Sequence, residues 1–232
     1  CPIPKISHNL MLKEKFRYFV ANSRFLQSIV SKFILAIPIY IPHNISKYKI
    51  LNKIIYNLYI DNIEGDYTEF GCFTGSCLVH SHRCFKKYFK NNMPLIYGFD
   101  SFEGFPEEVH EEFKSENFMN NFENVKILEK KYEGINIVKG FFSDSLNETE
   151  IKSKIKNISL AFIDCDLAVS SHDVFKFVKP RLNNGAFIMI DDYFNLDTNK
   201  NSIQQEFVKH FEINKDVFKF KEFGIWGVVF RY

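Results

Sequence analysis

From Gly65 onward, short apolar runs alternate with segments of helical spacing, and this alternation leaves few folds open. Five of the runs have the length and apolar character of buried strands, namely 66–70, 95–99, 135–138, 158–163 and 186–190. Strands separated by helices pair in parallel and form a sheet that is covered on both faces. Two later runs, 217–220 and 225–230, predict an antiparallel pair at the sheet edge. We therefore predict a Rossmann-like, doubly wound α/β domain over residues 63–232.

The N-terminal quarter of the chain has a different pattern. Residues 9–36 repeat apolar side chains at helical spacing and predict one or two amphipathic helices. Pro38 and Pro42 end that region, and a further helix is expected over 45–60. We predict that residues 1–62 form a helical extension that acts as a lid or mediates dimerisation, so a homodimer is one expected assembly.

Composition excludes several classes of protein. Lys and Arg total 30 against 28 Asp and Glu, a net charge of +2 that gives no reason to expect nucleic acid as a partner. No apolar run reaches the about 18 residues that span a bilayer. An odd number of cysteines without short paired spacings argues against a disulfide framework and a zinc site; they are Cys1, Cys72, Cys77, Cys84 and Cys165. Reduced thiols in a cytoplasmic protein are the expectation.

Acidic residues fall where the predicted strands end. Asp100 and Asp164 close two of the runs, and Asp191 and Asp192 directly follow five consecutive apolar residues. Open α/β sheets bind ligands outside the carboxyl ends of their strands. Carboxylates gathered there repel one another unless a positive group compensates, and a hard divalent cation with oxygen ligands would do so. A functional site is therefore favoured over simple helix capping for Asp164, Asp191 and Asp192.

Two shorter motifs each have a functional and a plain interpretation. The stretch from Glu69 through Gly71 and Gly75 to Ser76 joins a strand to a helix, and its glycines would let the backbone approach a cofactor closely. An ordinary turn has the same signature. Asp100, one strand later, suits the ribose hydroxyls of a nucleoside cofactor, although a helix cap is nearly as compatible.

Four segments occur in an order that is typical of a known family: 65–71, 97–106, 163–167 and 180–193. The second contains Asp-Ser-Phe-Glu-Gly-Phe-Pro and the last ends in Asp-Asp-Tyr. Together they resemble the macrocin O-methyltransferase family of S-adenosylmethionine-dependent enzymes. The resemblance implies a class I methyltransferase sheet and a sugar hydroxyl as the usual acceptor. Ala168 departs from the family pattern, where a tyrosine is common, and this affects the shape of the acceptor pocket.

The resemblance also implies roles for individual residues. The cofactor-binding set comprises the first strand end and its turn, the second strand end, the segment after the third strand and the fourth strand end: Glu69, Gly71, Phe73, Ser76, Asp100, Ser101, Ser143, Asp144 and Asp164. Within it, Glu69 and Gly71 would face the methionine part, Asp100 would hold the ribose beside Ser101, and Ser143 and Asp144 would flank the adenine. Magnesium would be held by Asp164, Asp191 and Asp192.

Methyl transfer is an in-line displacement that requires an aligned acceptor and the exclusion of water. A metal bound to a sugar hydroxyl would lower the pKa of that hydroxyl. The catalytic set predicted from the sequence is Asp164, Asp166 and His110. Asp166, His110 and His172 are alternative proton acceptors. Each also has a non-functional interpretation, Asp166 as a helix cap and the two histidines as surface residues.

Other functions remain open from the residues alone. A Rossmann-type oxidoreductase predicts Gly-x-Gly-x-x-Gly after the first strand, and the stretch that begins at Gly71 lacks that spacing. A metal-dependent phosphoesterase would use the clustered aspartates but leave Glu69 and Asp100 without a role. A non-catalytic binding module would use the aromatic N-terminal segment. A small phosphorylated or amine acceptor is the alternative to a sugar.

Overall fold

The structure of the chain, a computed structural model, describes residues 19, 22–90, 92–105, 119–120, 122–196 and 200–232. It divides into two compact units, residues 1–42 and 43–232. The first contains helix α1 (Arg24–Ala36), which begins after Ser23, whose hydroxyl accepts a hydrogen bond from the Leu26 N–H. Several apolar side chains of α1, Phe25 and Phe33 among them, are exposed.

No single helix in the described ranges is long and apolar enough to cross a membrane. Helix α1 and the next helix, α2 (Tyr40–Ile60), satisfy the length and composition requirements only when they are counted together as a bent pair. Helix α2 buries Ile50, Leu51 and Ile54, which is the pattern of a helix packed into a protein core.

Within the described residues, seven strands form one sheet in the order β3-β2-β1-β4-β5-β7-β6. Neighbours run parallel from β3 to β5, and β7 is antiparallel to both β5 and β6. The strands are β1 (Asp66–Phe70), β2 (Ile96–Asp100), β3 (Ile135–Lys139), β4 (Ile158–Ile163), β5 (Leu182–Ile190), β6 (Phe218–Phe223) and β7 (Gly227–Arg231). The predicted doubly wound sheet with an antiparallel C-terminal pair is confirmed.

Helices connect these strands. They are α3 (Ser76–Phe89), α4 (Phe122–Lys131), α5 (Phe142–Ser145), α6 (Thr149–Lys154), α7 (Ala168–Val178) and α8 (Ile203–His210), with a 3-10 turn at Lys179–Arg181. The predicted strands match within a few residues except β5, which begins at Leu182 rather than at Ala186. Polar Asn183 and Asn184 gave that segment the composition of a turn, whereas Leu182 pairs with Ile158 of β4.

The core lies on both faces of the sheet because successive strand residues point to opposite sides. In β5, Ile188 and Ile190 belong to one buried cluster and Phe187 and Met189 to the other. Helix α2 contributes to the second cluster through the side chains that it buries at helical spacing: Ile50, Leu51, Ile54, Ile55 and Leu58.

This packing differs from the domain boundary predicted at residues 62 and 63. The second compact unit begins at His43 and includes most of α2, because the buried side chains of α2 belong to the same core cluster as apolar side chains of the sheet. The role of the residues upstream, as a lid or a dimerisation element, stays a prediction.

The sheet reverses its winding direction at β1, which lies between β2 and β4. Gly71 follows β1 with φ of 87°, and a Cβ there would lie 1.9 Å from the carbonyl oxygen of Asp164. Only glycine permits this approach of the two strand ends. The carboxyl ends of β1, β2, β4 and β5 consequently meet at one edge, the place where open α/β sheets bind ligands.

Candidate active site

A cavity of about 780 Å³ opens at this edge of the sheet. Its walls come from the segments that follow β1 to β5 and from the first turns of α2. The size lies within the range of pockets that hold cofactors or drug-sized ligands. The acidic residues predicted at the strand ends can therefore all be located relative to this cavity.

Asp100 forms one wall of the cavity and organises the loops beside it. Its Oδ2 accepts a hydrogen bond from the Phe73 N–H at 2.8 Å, and its Oδ1 accepts one from the Phe102 N–H at 2.8 Å. Burial raises the pKa of this carboxyl, and the backbone donors oppose that effect. A carboxylate offers about four lone-pair positions, so each Asp100 oxygen keeps capacity for a hydroxyl donor.

Glu69 lies in β1 but does not line the cavity. Its side chain is buried, and the Tyr67 hydroxyl donates a hydrogen bond to Oε2 at 2.5 Å. Burial raises the pKa of Glu69 to about 8, although the hydrogen bond from Tyr67 and the charge of Lys47 act in the opposite direction. Glu69 is therefore largely protonated at neutral pH.

The ammonium group of Lys47 lies between two strand-end aspartates. Lys47 Nζ is 3.0 Å from Asp164 Oδ2 and 2.8 Å from Asp191 Oδ2, and its side chain is mostly buried. Burial would lower the pKa of Lys47, but the two carboxylates raise it strongly. Helix α2 thus supplies a fixed positive charge to the carboxyl edge of the sheet.

His43, one turn before Lys47, contacts the same aspartate. Its Nε2 lies 3.1 Å from Asp191 Oδ2, while its Nδ1 accepts a hydrogen bond from the Ile225 N–H at 3.2 Å. A neutral imidazole that accepts at Nδ1 carries its proton on Nε2, so His43 is a donor to Asp191. Burial would raise the pKa of Asp191, but the hydrogen bond from His43 and the charge and hydrogen bond of Lys47 lower it.

Three carboxylates come together beside the His43–Asp191 pair. Oxygen atoms of Asp164, Asp166 and Asp192 all lie within 4.8 Å of one another. Burial raises the pKa of each of the three carboxyls. Repulsion from Asp191 adds to this effect at Asp164 and Asp192, and repulsion from Asp192 adds to it at Asp166. We call Asp164, Asp166 and Asp192 the acidic cluster. Its donors are all oxygen atoms, which is the set that a hard cation prefers.

The Macrocin-O-methyltransferase (TylF) family model matches residues 46–231 of the sequence. That range covers the sheet, most of α2 and all of the cavity lining except His43.

The chain belongs to the macrocin O-methyltransferase family.

Membership makes the protein an S-adenosylmethionine-dependent methyltransferase and confirms the predicted enzyme class. The oxidoreductase, phosphoesterase and non-catalytic alternatives are thereby rejected.

Solved structures share the fold of this family member at low sequence identity. The calicheamicin methyltransferase CalS11 has a TM-score of 0.70 at 17% identity and covers 98% of this chain and 94% of its own. The O-methyltransferase NovP has a TM-score of 0.66 at 18% identity, covering 81% of this chain and 79% of its own. No curated protein sequence matches this chain significantly.

Several residues of the predicted cofactor set line the cavity: Gly71, Phe73, Asp100, Ser101, Ser143 and Asp164. Glu69, Ser76 and Asp144 do not. Glu69 is buried within β1, whereas Ser76 at the start of α3 and Asp144 in α5 are exposed to solvent. These three residues lie outside the cavity lining, and the cofactor contacts that the resemblance implied for them stay predictions.

The predicted metal and catalytic residues are also only partly brought together. Asp164 and Asp192 share the acidic cluster with Asp166, whereas Asp191 Oδ2 is held by Lys47 and His43. The cluster in the structure thus contains Asp166 in the place where the sequence predicted Asp191. His110 lies outside the described residues. His172 is exposed and bonded to Glu206, away from the cavity lining.

His43 and Lys47 line the cavity and were not predicted from the sequence. A signal for them exists. They lie four residues apart and precede Ile50, Ile54 and Leu58 on the buried face of α2. Polar side chains that continue an apolar helical face mark a place where that face meets a polar site instead of the core.

Proposed function

We propose that this enzyme transfers the methyl group of S-adenosylmethionine to a hydroxyl of a sugar, with the help of a hard divalent cation. The main supporting observation is that one cavity is lined by Asp100, suited to a ribose, and by Asp164 and Asp166, two members of the acidic cluster suited to a cation. The apo structure of CalS11, with a TM-score of 0.61 at 17% identity, is described as that of a TDP-rhamnose 3'-O-methyltransferase. A nucleotide-linked sugar, a surface-polysaccharide sugar and a natural-product sugar are the acceptor classes to test first.

The cofactor would occupy the part of the cavity between β1 and β3. Asp100 keeps acceptor positions for the ribose hydroxyls, and Gly71, which lets the ends of β1 and β4 approach each other, lines the cavity beside it. Phe141, Phe142 and Ser143 line the cavity after β3, where apolar surface would cover the adenine. This arrangement would direct the methyl group toward the ends of β4 and β5.

A divalent cation fits the acidic cluster on the chemistry of its donors. Burial and neighbouring carboxylates raise the pKa of all three cluster aspartates, and the ammonium of Lys47 is shared between Asp164 at 3.0 Å and Asp191 at 2.8 Å, which leaves the cluster poorly compensated. The cluster has no thiol or imidazole ligand, so magnesium is favoured over a softer metal. A cation held there would lower the pKa of an acceptor hydroxyl. Asp166 lines the cavity and is the candidate proton acceptor among the described residues of the predicted catalytic set.

Four described cysteines are buried and unpaired: Cys72, Cys77, Cys84 and Cys165. Unpaired thiols support the proposal of a reducing, cytoplasmic location.

The experiment is a methyl-transfer screen against nucleotide sugars, with small phosphate and amine acceptors as the competing class. Asp192→Asn should abolish the dependence of turnover on Mg²⁺ and lower kcat by roughly a hundredfold or more, the scale of removing one strong charge stabiliser. Calorimetry should show nearly unchanged cofactor affinity, because the cation would serve the acceptor. Asp173→Asn is the matched control, since Asp173 lines the cavity outside the acidic cluster and should keep the Mg²⁺ dependence.

Two results would contradict the proposal. Full turnover in excess EDTA would exclude the cation, and methyl transfer to an amine but to no sugar would exclude the acceptor class. Loss of Mg²⁺ dependence in both aspartate variants would show that the acidic cluster has no special role.

A further inference from the structure

A second group of potential metal ligands lies outside the cavity. His172 of α7 faces Glu206 and His210 of α8, and one ligand atom from each lies within 4.8 Å of the others. Glu206 and His210 are four residues apart and therefore share one face of their helix. None of the three lines the cavity, and none belongs to the acidic cluster. We call them the His-Glu-His cluster.

The separations among the three ligand atoms are close to those of a metal centre. His210 Nε2 is 3.2 Å from Glu206 Oε1 and 3.3 Å from His172 Nδ1. Zinc bonds of about 2.0–2.1 Å place tetrahedral ligands about 3.3–3.4 Å apart. The remaining separation, His172 Nδ1 to Glu206 Oε1, is 2.6 Å. It would have to lengthen by about 0.7 Å to reach the same geometry, which a rotation of the Glu206 carboxylate can supply.

The surroundings also suit a cation. Glu206 is buried, and Lys209 Nζ binds its other oxygen, Oε2, at 2.6 Å, so Oε1 remains directed at the two histidines. The side chain of His172 is about half exposed, at 49%, which leaves an entry path and room for a water ligand. The ligand set is therefore built from one fixed carboxylate and two imidazoles on a pair of packed helices.

We propose that the His-Glu-His cluster is a second cation site that takes Zn²⁺ or a similar transition cation, separate from the magnesium-type acidic cluster. Two imidazoles and one carboxylate favour zinc over magnesium, which prefers oxygen ligands. The site joins α7, which lines the cavity through Val169, Ser170 and Asp173, to α8. A cation there fixes the helix that forms one wall of the cavity.

The test is calorimetric titration of the full chain with Zn²⁺ in excess Mg²⁺, after removal of bound metal with a chelator. One Zn²⁺ should bind. His172→Asn and His210→Gln each keep a side-chain N–H that can donate to Glu206 and remove only the ligating imidazole. Each should weaken Zn²⁺ binding by about a hundredfold or more, because loss of an outer partner alone costs about 10–100-fold. Co²⁺ should give visible bands of a four- or five-coordinate ion in the parent chain and not in these variants.

Matched variants separate this site from other histidines and from the proposed methyl-transfer chemistry. His80→Asn is the control, since His80 contacts Tyr48 and Cys84 elsewhere in the fold. It should leave the Zn²⁺ affinity unchanged, as should Asp192→Asn, even if the latter abolishes methyl transfer. Retained cofactor affinity shows that each variant is folded. Absence of Zn²⁺ binding in the parent chain, or equal binding in the His172 and His210 variants, would overturn the proposal.

Discussion

At the scale of single residues, the role of each carboxylate depends on the groups that contact it and not on its position at a strand end. Asp100 accepts two backbone N–H groups, Glu69 is held by Tyr67, and Asp191 is held by Lys47 and His43. Asp166 and Asp192 lie beside each other and Asp164, which also contacts Lys47. Chemically identical groups thus become a ligand anchor, a buried acid, an ion-pair partner and a cation site.

Asp100→Asn should weaken S-adenosylmethionine binding. The amide replaces one acceptor oxygen with a donor, so at least one ribose hydroxyl loses its charged partner, at a cost of about 1.5–3 kcal/mol. Calorimetry measures this change. Asp144→Asn is the contrast, because Asp144 is exposed and lies outside the cavity lining, and it should leave the affinity unchanged. Equal affinities for Asp100→Asn and the parent chain would remove Asp100 from the cofactor site.

Glu69 should make stability depend on pH in a defined direction. Its pKa in the fold is about 8, above the ordinary value, so its stabilising contribution is complete below that ordinary value. The contribution is lost as pH rises toward 8, at up to about 1.4 kcal/mol per pH unit. Glu69→Gln keeps an acceptor for Tyr67 and cannot ionise, so its free energy of unfolding should fall less between about pH 5 and pH 8. Urea denaturation across that range tests this, and parallel curves for both chains would show that Glu69 is not the titrating group.

At the scale of elements, the turn between β6 and β7 fixes the start of α2. Gly224 has φ of 59°, and its N–H donates to Ser46 Oγ at 3.0 Å. A Cβ at Gly224 would lie 2.2 Å from His43 Nδ1, so the imidazole could not stay in contact with Asp191. Both the β6–β7 turn and helix α2 therefore determine the position of the His43 imidazole.

Gly224→Ala should consequently destabilise the protein by more than backbone strain alone. A non-glycine residue in the left-handed region costs about 1–3 kcal/mol, and displacement of His43 adds to that cost. Gly134→Ala is the control for strain, since Gly134 has φ of 85° and a Cβ there meets no atom closer than 3.6 Å. The difference in free energy of unfolding between the two variants, measured with denaturant, reports the contact with His43. Equal destabilisation would show that the turn does not position the imidazole.

At the scale of the whole molecule, α2 belongs to the catalytic unit. Its buried side chains complete the core cluster on one face of the sheet, and its first turns place His43 and Lys47 in the cavity wall. The upstream residues form the other compact unit. Two truncations can therefore separate folding from the predicted lid or dimerisation role.

Removal of residues 1–38 should leave cofactor affinity and cooperative unfolding intact, because the core contacts of α2 remain. Turnover or self-association should fall if the upstream residues act as a lid or a dimer contact. Removal of residues 1–62 should prevent stable folding, since each large aliphatic side chain lost from a core costs about 2–5 kcal/mol. Light scattering, calorimetry and a turnover assay distinguish these outcomes. Full activity and unchanged mass after the shorter truncation would contradict the predicted role.

The sequence by itself determined the sheet and the edge at which the site lies. Apolar runs that alternate with helical segments specify buried parallel strands, and an acidic residue at the end of such a run has to emerge at the carboxyl edge. The four characteristic segments were enough to identify the family. These inferences succeed because each depends on residues that are close together in the chain.

The tertiary structure alone decided which groups meet at that edge. His43 is 148 residues from Asp191 and Lys47 is 117 residues from Asp164, so no local pattern links them. Asp191 Oδ2 contacts Lys47 and His43, whereas Asp166 joins Asp164 and Asp192 in the acidic cluster. The His-Glu-His cluster likewise requires α7 and α8 to pack face to face. Charge partners across a fold are set by packing geometry, which single-chain periodicity does not encode.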